Sequence, residues 1–365
     1  MSVPARSPLV LGASFALLSA VAFGATTPLI ARFGAASGPF ATAALLYAGA
    51  ALVGWFAVRR GPREARPTGG VVARVALSAL VGAMLAPAAL VWGIRQTGGL
   101  SASLALAFES VFTVAIAVAI FHEHVGRRIA LAVGLTAAGG VALALGAPPG
   151  TPAIAGLASV LAATLLWAVD NALTGSVAGA DPSTVLAAKT TLGAAGSALV
   201  GIALGDRLPP ASASLGLLAV GAIGYGVSLR WYLAAQRSFG IARTASVFAT
   251  APLVGALLAL AIGEGRIAPP IVAAVVLMAL GVWLHVTENH THRHVHQELE
   301  HEHAHTHDEH HAHAHEVPVQ GMHTHPHRHV ALVHAHPHAP DVHHGHAHDH
   351  RAALHDHDLG TTPFA

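Results

Sequence analysis

Glu109, Asp170, Lys189 and Arg230 each stand inside an apolar run of this 365-residue chain. At membrane depth an ionised side chain costs at least about 2.5–3.5 kcal/mol by insertion scales, so each calls for a partner, a water-filled cavity or a function. Asp170 lies with Trp167, Asn171 and Thr174 at i, i+3, i+4 and i+7, a spacing that puts all four on one polar helix face suited to a cavity wall. Lys189 is the only lysine in the chain. Paired with Asp170 it would neutralise two buried charges, and a substrate or a proton could compete for that pairing. Arg230 is the alternative partner, or a bidentate clamp for a substrate carboxylate. The plainer readings are a static ion pair and side chains that snorkel to the interface. Glu109 is the candidate proton-coupled carboxylate, and its plainer reading is structural.

A second chemistry sits at the C-terminus. Alternate positions are histidine at His290, His292, His294 and His296, at His301, His303, His305 and His307, at His310, His311, His313 and His315, and at His323, His325, His327 and His329. Imidazole suits Zn, Ni, Co and Cu(II), and interspersed Asp and Glu add oxygen ligands, so several exchangeable, poorly selective metal sites are expected there. A polyelectrolyte that gains charge as pH falls through about 6.5 is the simpler alternative.

The elements that must position these groups follow from composition. Hydrophobic residues make up 53% and charged residues 10% of the chain, and mean hydropathy is +0.57, so the bilayer is the expected solvent. The net charge of +1 conceals two unlike parts. Up to Trp283 there are 16 Arg and Lys against 7 Asp and Glu; from Glu288 on there are 3 against 11, with 26 of the 29 histidines. No cysteine is present, which excludes disulfides and thiolate ligands. No G-x-x-x-x-G-K-[ST] loop occurs, because Lys189 follows Val185-Leu186-Ala187-Ala188. That argues against ATP-driven work and against an enzyme, and nothing points to a nucleic-acid partner.

Apolar runs predict ten membrane helices, at 9–30, 40–58, 73–94, 99–121, 128–146, 153–175, 183–204, 213–236, 241–262 and 269–286. The first has a basic start and small residues near Ala22–Ala25, like a secretory signal, yet nine further spans follow, so it is expected to remain uncleaved. Arginine clusters at Arg59, Arg60, Arg63 and Arg66, at Arg127 and Arg128, and at Arg237 and Arg243 fall in alternate loops, on the side of Arg6. Both termini should therefore be cytoplasmic in a plasma (inner) membrane of bacterial type.

The stretch Gly98–Phe121 is echoed about 141 residues later. Gly99 maps to Gly240, Ser103 to Thr244, Ala115 to Ala256, Glu123 to Glu264, and Gly140-Val141 to Gly281-Val282. An odd number of spans per copy implies two inverted repeats, at 1–146 and 152–286. The region 288–365 is expected to be a disordered cytoplasmic tail. The fold class is thus an all-α polytopic membrane protein of ten helices, with a His-rich tail.

The repeated outline, with Phe108-Glu109-Ser110-Val111-Phe112-Thr113 and His122-Glu123 in the first copy and Pro252 and Gly263-Glu264 in the second, resembles the EamA-type branch of the drug/metabolite transporter superfamily. The likeness covers roughly residues 8–286. It departs from the family pattern at Ser110, where the first copy lacks the proline, and at Ala251, where the second lacks the acid. The resemblance implies a central cavity, alternating access and a small-molecule substrate, with no required cofactor. An exporter of organic metabolites or drugs is the leading expectation. An exporter of divalent metal or a metal chelate, with the tail as buffer or sensor, is the alternative. A membrane-anchored metal store is the third, though ten helices far exceed what an anchor needs.

Overall fold

The computed structural model describes residues 8–60, 69–121, 126–146, 152–175, 182–239, 241–287 and four short tail segments. The transmembrane part is helical. Its elements are α1 (Pro8–Gly24), α2 (Thr26–Phe33), α3 (Pro39–Arg60), α4 (Gly69–Ser78), α5 (Ala86–Ala105), α6 (Phe108–Phe121) and α7 (Arg127–Gly146). They continue as α8 (Ala153–Gly175), α9 (Pro182–Leu204), α10 (Ala211–Gly221), α11 (Ser228–Phe239), α12 (Ile241–Phe248), α13 (Ala251–Ala261) and α14 (Pro269–Val286). Two π-helical segments, Ala79–Leu85 and Ala222–Val227, join α4 to α5 and α10 to α11.

Among the described residues, seven helices are long and apolar enough to cross a membrane, and Phe108–Ile120, Ala251–Ala261 and Pro269–Leu284 are shorter apolar helices. The expected spans at 73–94 and 99–121 are parted at Gly98, and the second is interrupted again at Leu106-Ala107. Within Ala86–Ala105 two helices meet at a kink at Gly98, whose φ of 80° and ψ of 165° are open to glycine and strained for other residues. Breaks also fall inside three expected spans: at Ala25, at Leu106-Ala107 and at Ala249-Thr250.

Polar groups turn inward and large apolar groups outward, the distribution a hydrocarbon solvent demands. Leu52, Leu145, Leu199, Ile202 and Leu257 are exposed, while Ser19, Thr26, Thr42, Ser103 and Asp170 are buried. Inside, hydroxyls join helices: Ser19 Oγ donates to the Ser228 carbonyl (2.8 Å), and Ser228 Oγ donates back to the Ser19 carbonyl (3.0 Å). This binds α1 to α11, the kind of polar contact that associates helices where the hydrophobic effect is absent.

The packing runs across the chain rather than along it. α3 packs on α9, α7 on α14, α5 on α8 and α1 on α11. Where α3 crosses α10 the backbones nearly touch: a Cβ on Gly221 would lie 1.8 Å from the Leu46 carbonyl oxygen, and one on Gly49 would lie 2.1 Å from that of Leu218.

The tail departs from the expectation of disorder in four places. β1 (His290–His296) pairs antiparallel with β4 (Leu332–His338), and β2 (Leu299–His305) with β3 (His323–His329). The physical reason is period: histidine at every second position matches the two-residue repeat of a strand. The register sets His290 opposite His338, His292 opposite His336 and His303 opposite His325. The remaining tail, including His307, His310, His311, His313 and His315, lies outside the described residues, as does His122-Glu123.

Candidate functional site

The site is built where regular helix fails. An α-helix satisfies its own backbone, and a π-segment loosens that pairing and frees carbonyls, which is why such segments gather at functional sites. In the first π-segment the Gly82 carbonyl accepts two hydrogen bonds from side chains, from Tyr47 Oη on α3 (2.8 Å) and from Trp167 Nε1 on α8 (2.9 Å). Glycine is required at this point. A Cβ on Gly82 would lie 2.0 Å from Asp170 Oδ2, so Gly82→Ala should displace that carboxylate. We expect this variant to lose about 1–3 kcal/mol of stability, the cost of overpacking, read as a lower unfolding temperature of the detergent-solubilised protein.

Asp170 is 4% exposed. It accepts from Ser78 Oγ and is ion-paired with Lys189, whose side chain is 13% exposed. The sequence left two partners open for Asp170; the structure places Lys189 there, and Arg230 sits exposed on α11, outside this cluster. The pair is reached by α4, α8 and α9 together, because Asp170 lies within the α8 face that meets the first π-segment and α9 packs on that same segment. The next residue of α8, Asn171, reaches Glu109: Asn171 Nδ2 donates to Glu109 Oε1 at 2.9 Å. Glu109 stands in the first turn of α6, just after the break at Leu106-Ala107. Thr174 is on α8, with its side chain outside the described residues.

Aromatic rings fill the space beside the ion pair. Phe23 meets Trp167 edge-on at 6.1 Å between centroids, Tyr225 at 5.7 Å and Phe248 at 5.2 Å. Tyr225 also stands 5.3 Å from Tyr47. These rings come from α1, α3, α8, the second π-segment and α12, so both halves of the chain contribute. The Tyr225 hydroxyl has no hydrogen-bond partner among the described residues.

Of the residues singled out in the sequence, the structure brings Asp170, Lys189, Trp167, Asn171 and Glu109 together, and it adds Ser78, Gly82, Tyr47 and Tyr225 around them. One signal was present: Gly82 and Gly224 recur about 142 residues apart in a chain already seen to repeat near that offset. Of the tail histidines, no side chain falls among the described residues. Among the described residues no group of three or more His, Asp or Glu is placed to hold a metal ion.

Arranged thus, the cluster gathers ionisable and polar side chains in the middle of apolar helices. Among the described residues it contains one cation, two carboxylates, an amide and hydroxyls, bounded by rings and located at helix discontinuities.

Residues 10–145 match the profile of the EamA-like transporter family. Sixteen chains of solved structures match the fold. One, a crystal structure, superposes with a TM-score of 0.56 at 20% identity and covers 77% of this chain and 96% of its own. That likeness speaks for the fold alone. No curated protein matches the sequence.

Proposed function

An EamA-like transporter domain occupies residues 10–145 of this chain, and from that premise we propose that the whole is a secondary transporter that exports small organic metabolites or drugs by alternating access. Members of the family are transporters, and the chain is a membrane protein with several spans. The observation that carries the reading is the buried Asp170–Lys189 pair beside Glu109 and Asn171, set among helix breaks. A merely structural bundle gains nothing from such a cluster, because hydrophobic residues of similar volume serve as well or better.

Ten spans in two inverted five-helix repeats account for the packing. If the halves are related by a two-fold axis in the membrane plane, the pairing of α1 with α11 and of α5 with α8 is one contact made twice. The π-segments at Ala79–Leu85 and Ala222–Val227, and the breaks at Leu106-Ala107 and Ala249-Thr250, recur at the repeat offset. Arginine placement supports cytoplasmic termini in a plasma membrane.

Glu109 carries proton coupling in this reading, with Asn171 as the donor that a protonation cycle would disturb. The test is accumulation by everted vesicles of labelled amino acids and of the dye ethidium, with and without an imposed pH gradient. At least one cargo should accumulate, and Glu109→Gln should lower the gradient-driven component at least tenfold while leaving exchange at equal pH. No accumulation above empty vesicles for any cargo would remove the organic-exporter reading.

A second reading, metal handling, is favoured by the strand register that sets histidine opposite histidine in both tail ladders. Zn, Ni, Co or Cu(II) would then be buffered by the tail or carried as a chelate. Truncation after Glu288 should abolish Zn binding in titration calorimetry. It should also lower Zn uptake by everted vesicles if metal is cargo, and leave transport of organic solutes unchanged if it is not.

A further inference from the structure

At one end of the bundle the two halves are fastened by a carboxylate. α3 begins at Pro39, and its first free amides, Phe40 N and Ala41 N, donate to Asp206 Oδ2 at 2.8 and 3.0 Å. Asp206 lies 166 residues away, just after α9, and serves as an N-cap supplied from the other half of the chain. One further bond crosses the same seam and two more brace its first-half side. Gly38 N donates to the Arg207 carbonyl (2.9 Å), Arg95 Nη1 donates to the Ser37 carbonyl (3.1 Å), and the Ser37 and Thr42 hydroxyls meet at 2.6 Å. The fit leaves no slack, since a Cβ on Gly38 would lie 2.0 Å from Asp206 Cγ. Beside the seam an open notch of about 480 Å³ is lined by Arg95, Asp206 and Arg207.

In sequence, the stretch after α9 reads Gly205-Asp206-Arg207 and the corresponding stretch after α3 reads Gly61-Pro62-Arg63, so proline stands in the place of the capping carboxylate. A proline side chain cannot accept a hydrogen bond. The two corresponding stretches thus differ in sequence at one residue pair, Asp206 and Pro62.

We propose that Asp206 is a latch that holds shut the end of the bundle carrying the Gly34–Pro39 turn, so that the resting transporter is closed there and takes cargo from the other side. With the orientation proposed above, the latched end is extracytoplasmic, and the resting state faces the cytosol, as export requires. Opening to the outside breaks the two amide bonds to Asp206 and draws α3 from the loop after α9.

The cysteine-free chain makes the test direct. Thr27 is fully buried on α2, between the seam and Phe23, and its hydroxyl has no partner among the described residues. A Thr27→Cys reporter is treated on intact cells with a membrane-impermeant methanethiosulfonate reagent, with the exposed Ala36→Cys as control. Asp206→Ala and, independently, Gly38→Ala should speed labelling about tenfold, the population change expected from loss of one charged cap. Labelling within twofold of the parent in both variants overturns the proposal. Ala36→Cys that reacts only after permeabilisation places the latch on the cytosolic side and overturns the inward-facing resting state. Should the variants fail to fold, amide exchange in the unmodified full-length protein decides: Phe40 and Ala41 amides must be protected, and exchange at unstructured rates overturns the latch. Faster labelling in a protein that moves no cargo would leave the latch standing and remove the transport reading.

Discussion

Asp170→Asn is expected to destabilise the protein by about 3–5 kcal/mol, because it leaves the Lys189 ammonium without its counter-charge in a low-dielectric interior. Both side chains are largely removed from solvent, at 5% and 13% exposure, so water offers little relief. Lys189→Met should do comparable harm from the other side. The double variant Asp170→Asn/Lys189→Met should recover most of the lost stability, since it removes both charges together. It should not recover transport. The checks are thermal unfolding of the detergent-solubilised protein by size-exclusion recovery, and vesicle transport at matched expression. If the double variant is no more stable than the singles, the two residues are not energetically coupled and the pair is not the support of this region. If it transports at the parental rate, the pair is architecture only.

Gly221→Ala is expected to be the most damaging single methyl group added anywhere in the bundle. Its Cβ would fall 1.8 Å from the Leu46 carbonyl oxygen and 2.5 Å from the carbonyl carbon, atoms of a helix backbone that cannot swing aside like a side chain. The crossing of α3 and α10 must then open, and overpacking of this kind costs about 1–3 kcal/mol or more. Because Gly49 meets α10 in return at 2.1 Å, Gly49→Ala should have a similar effect, and the pair should be less than additive once the crossing has opened. Gly134→Ala is the control. No atom lies within 4 Å of the position its Cβ would take, and alanine favours helix over glycine by up to about 1 kcal/mol. The unfolding temperature should fall for the first two and hold or rise for the third.

The latch and the ion pair bear on different steps. Asp206 ties backbone amides at the end of the bundle, whereas Asp170 is held by side chains within it. Loss of the first should shift which side is open; loss of the second should stop transport whichever side is open.

How far each feature could be read beforehand depends on its range in sequence. The apolar spans at 40–58 and 269–286 agree closely with Pro39–Arg60 and Pro269–Val286, because hydropathy is summed over neighbours and needs no partner. The residues between which chemistry could run were legible for the same reason: a charge among apolar residues is conspicuous wherever it folds. The likeness to the EamA branch was carried by local motifs too. What periodicity could not supply was the helix interior itself. The π-segments and the breaks at Leu106-Ala107 and Ala249-Thr250 occur in runs as apolar as any unbroken helix, and only the neighbours that receive the freed carbonyls make them stable.

By itself, then, the amino-acid order determined that the chain lives in a bilayer, which residues carry charge at depth, and which family its first half matches. Only the tertiary structure decided that Asp170 pairs with Lys189 rather than Arg230, that Asn171 turns to Glu109, that Gly82 must lack a side chain, and that Asp206 caps a helix 166 residues away. Each of those outcomes depends on which helices lie side by side. In lipid, that is set by close backbone approach and polar contacts between helices far apart in the chain, which no local window contains.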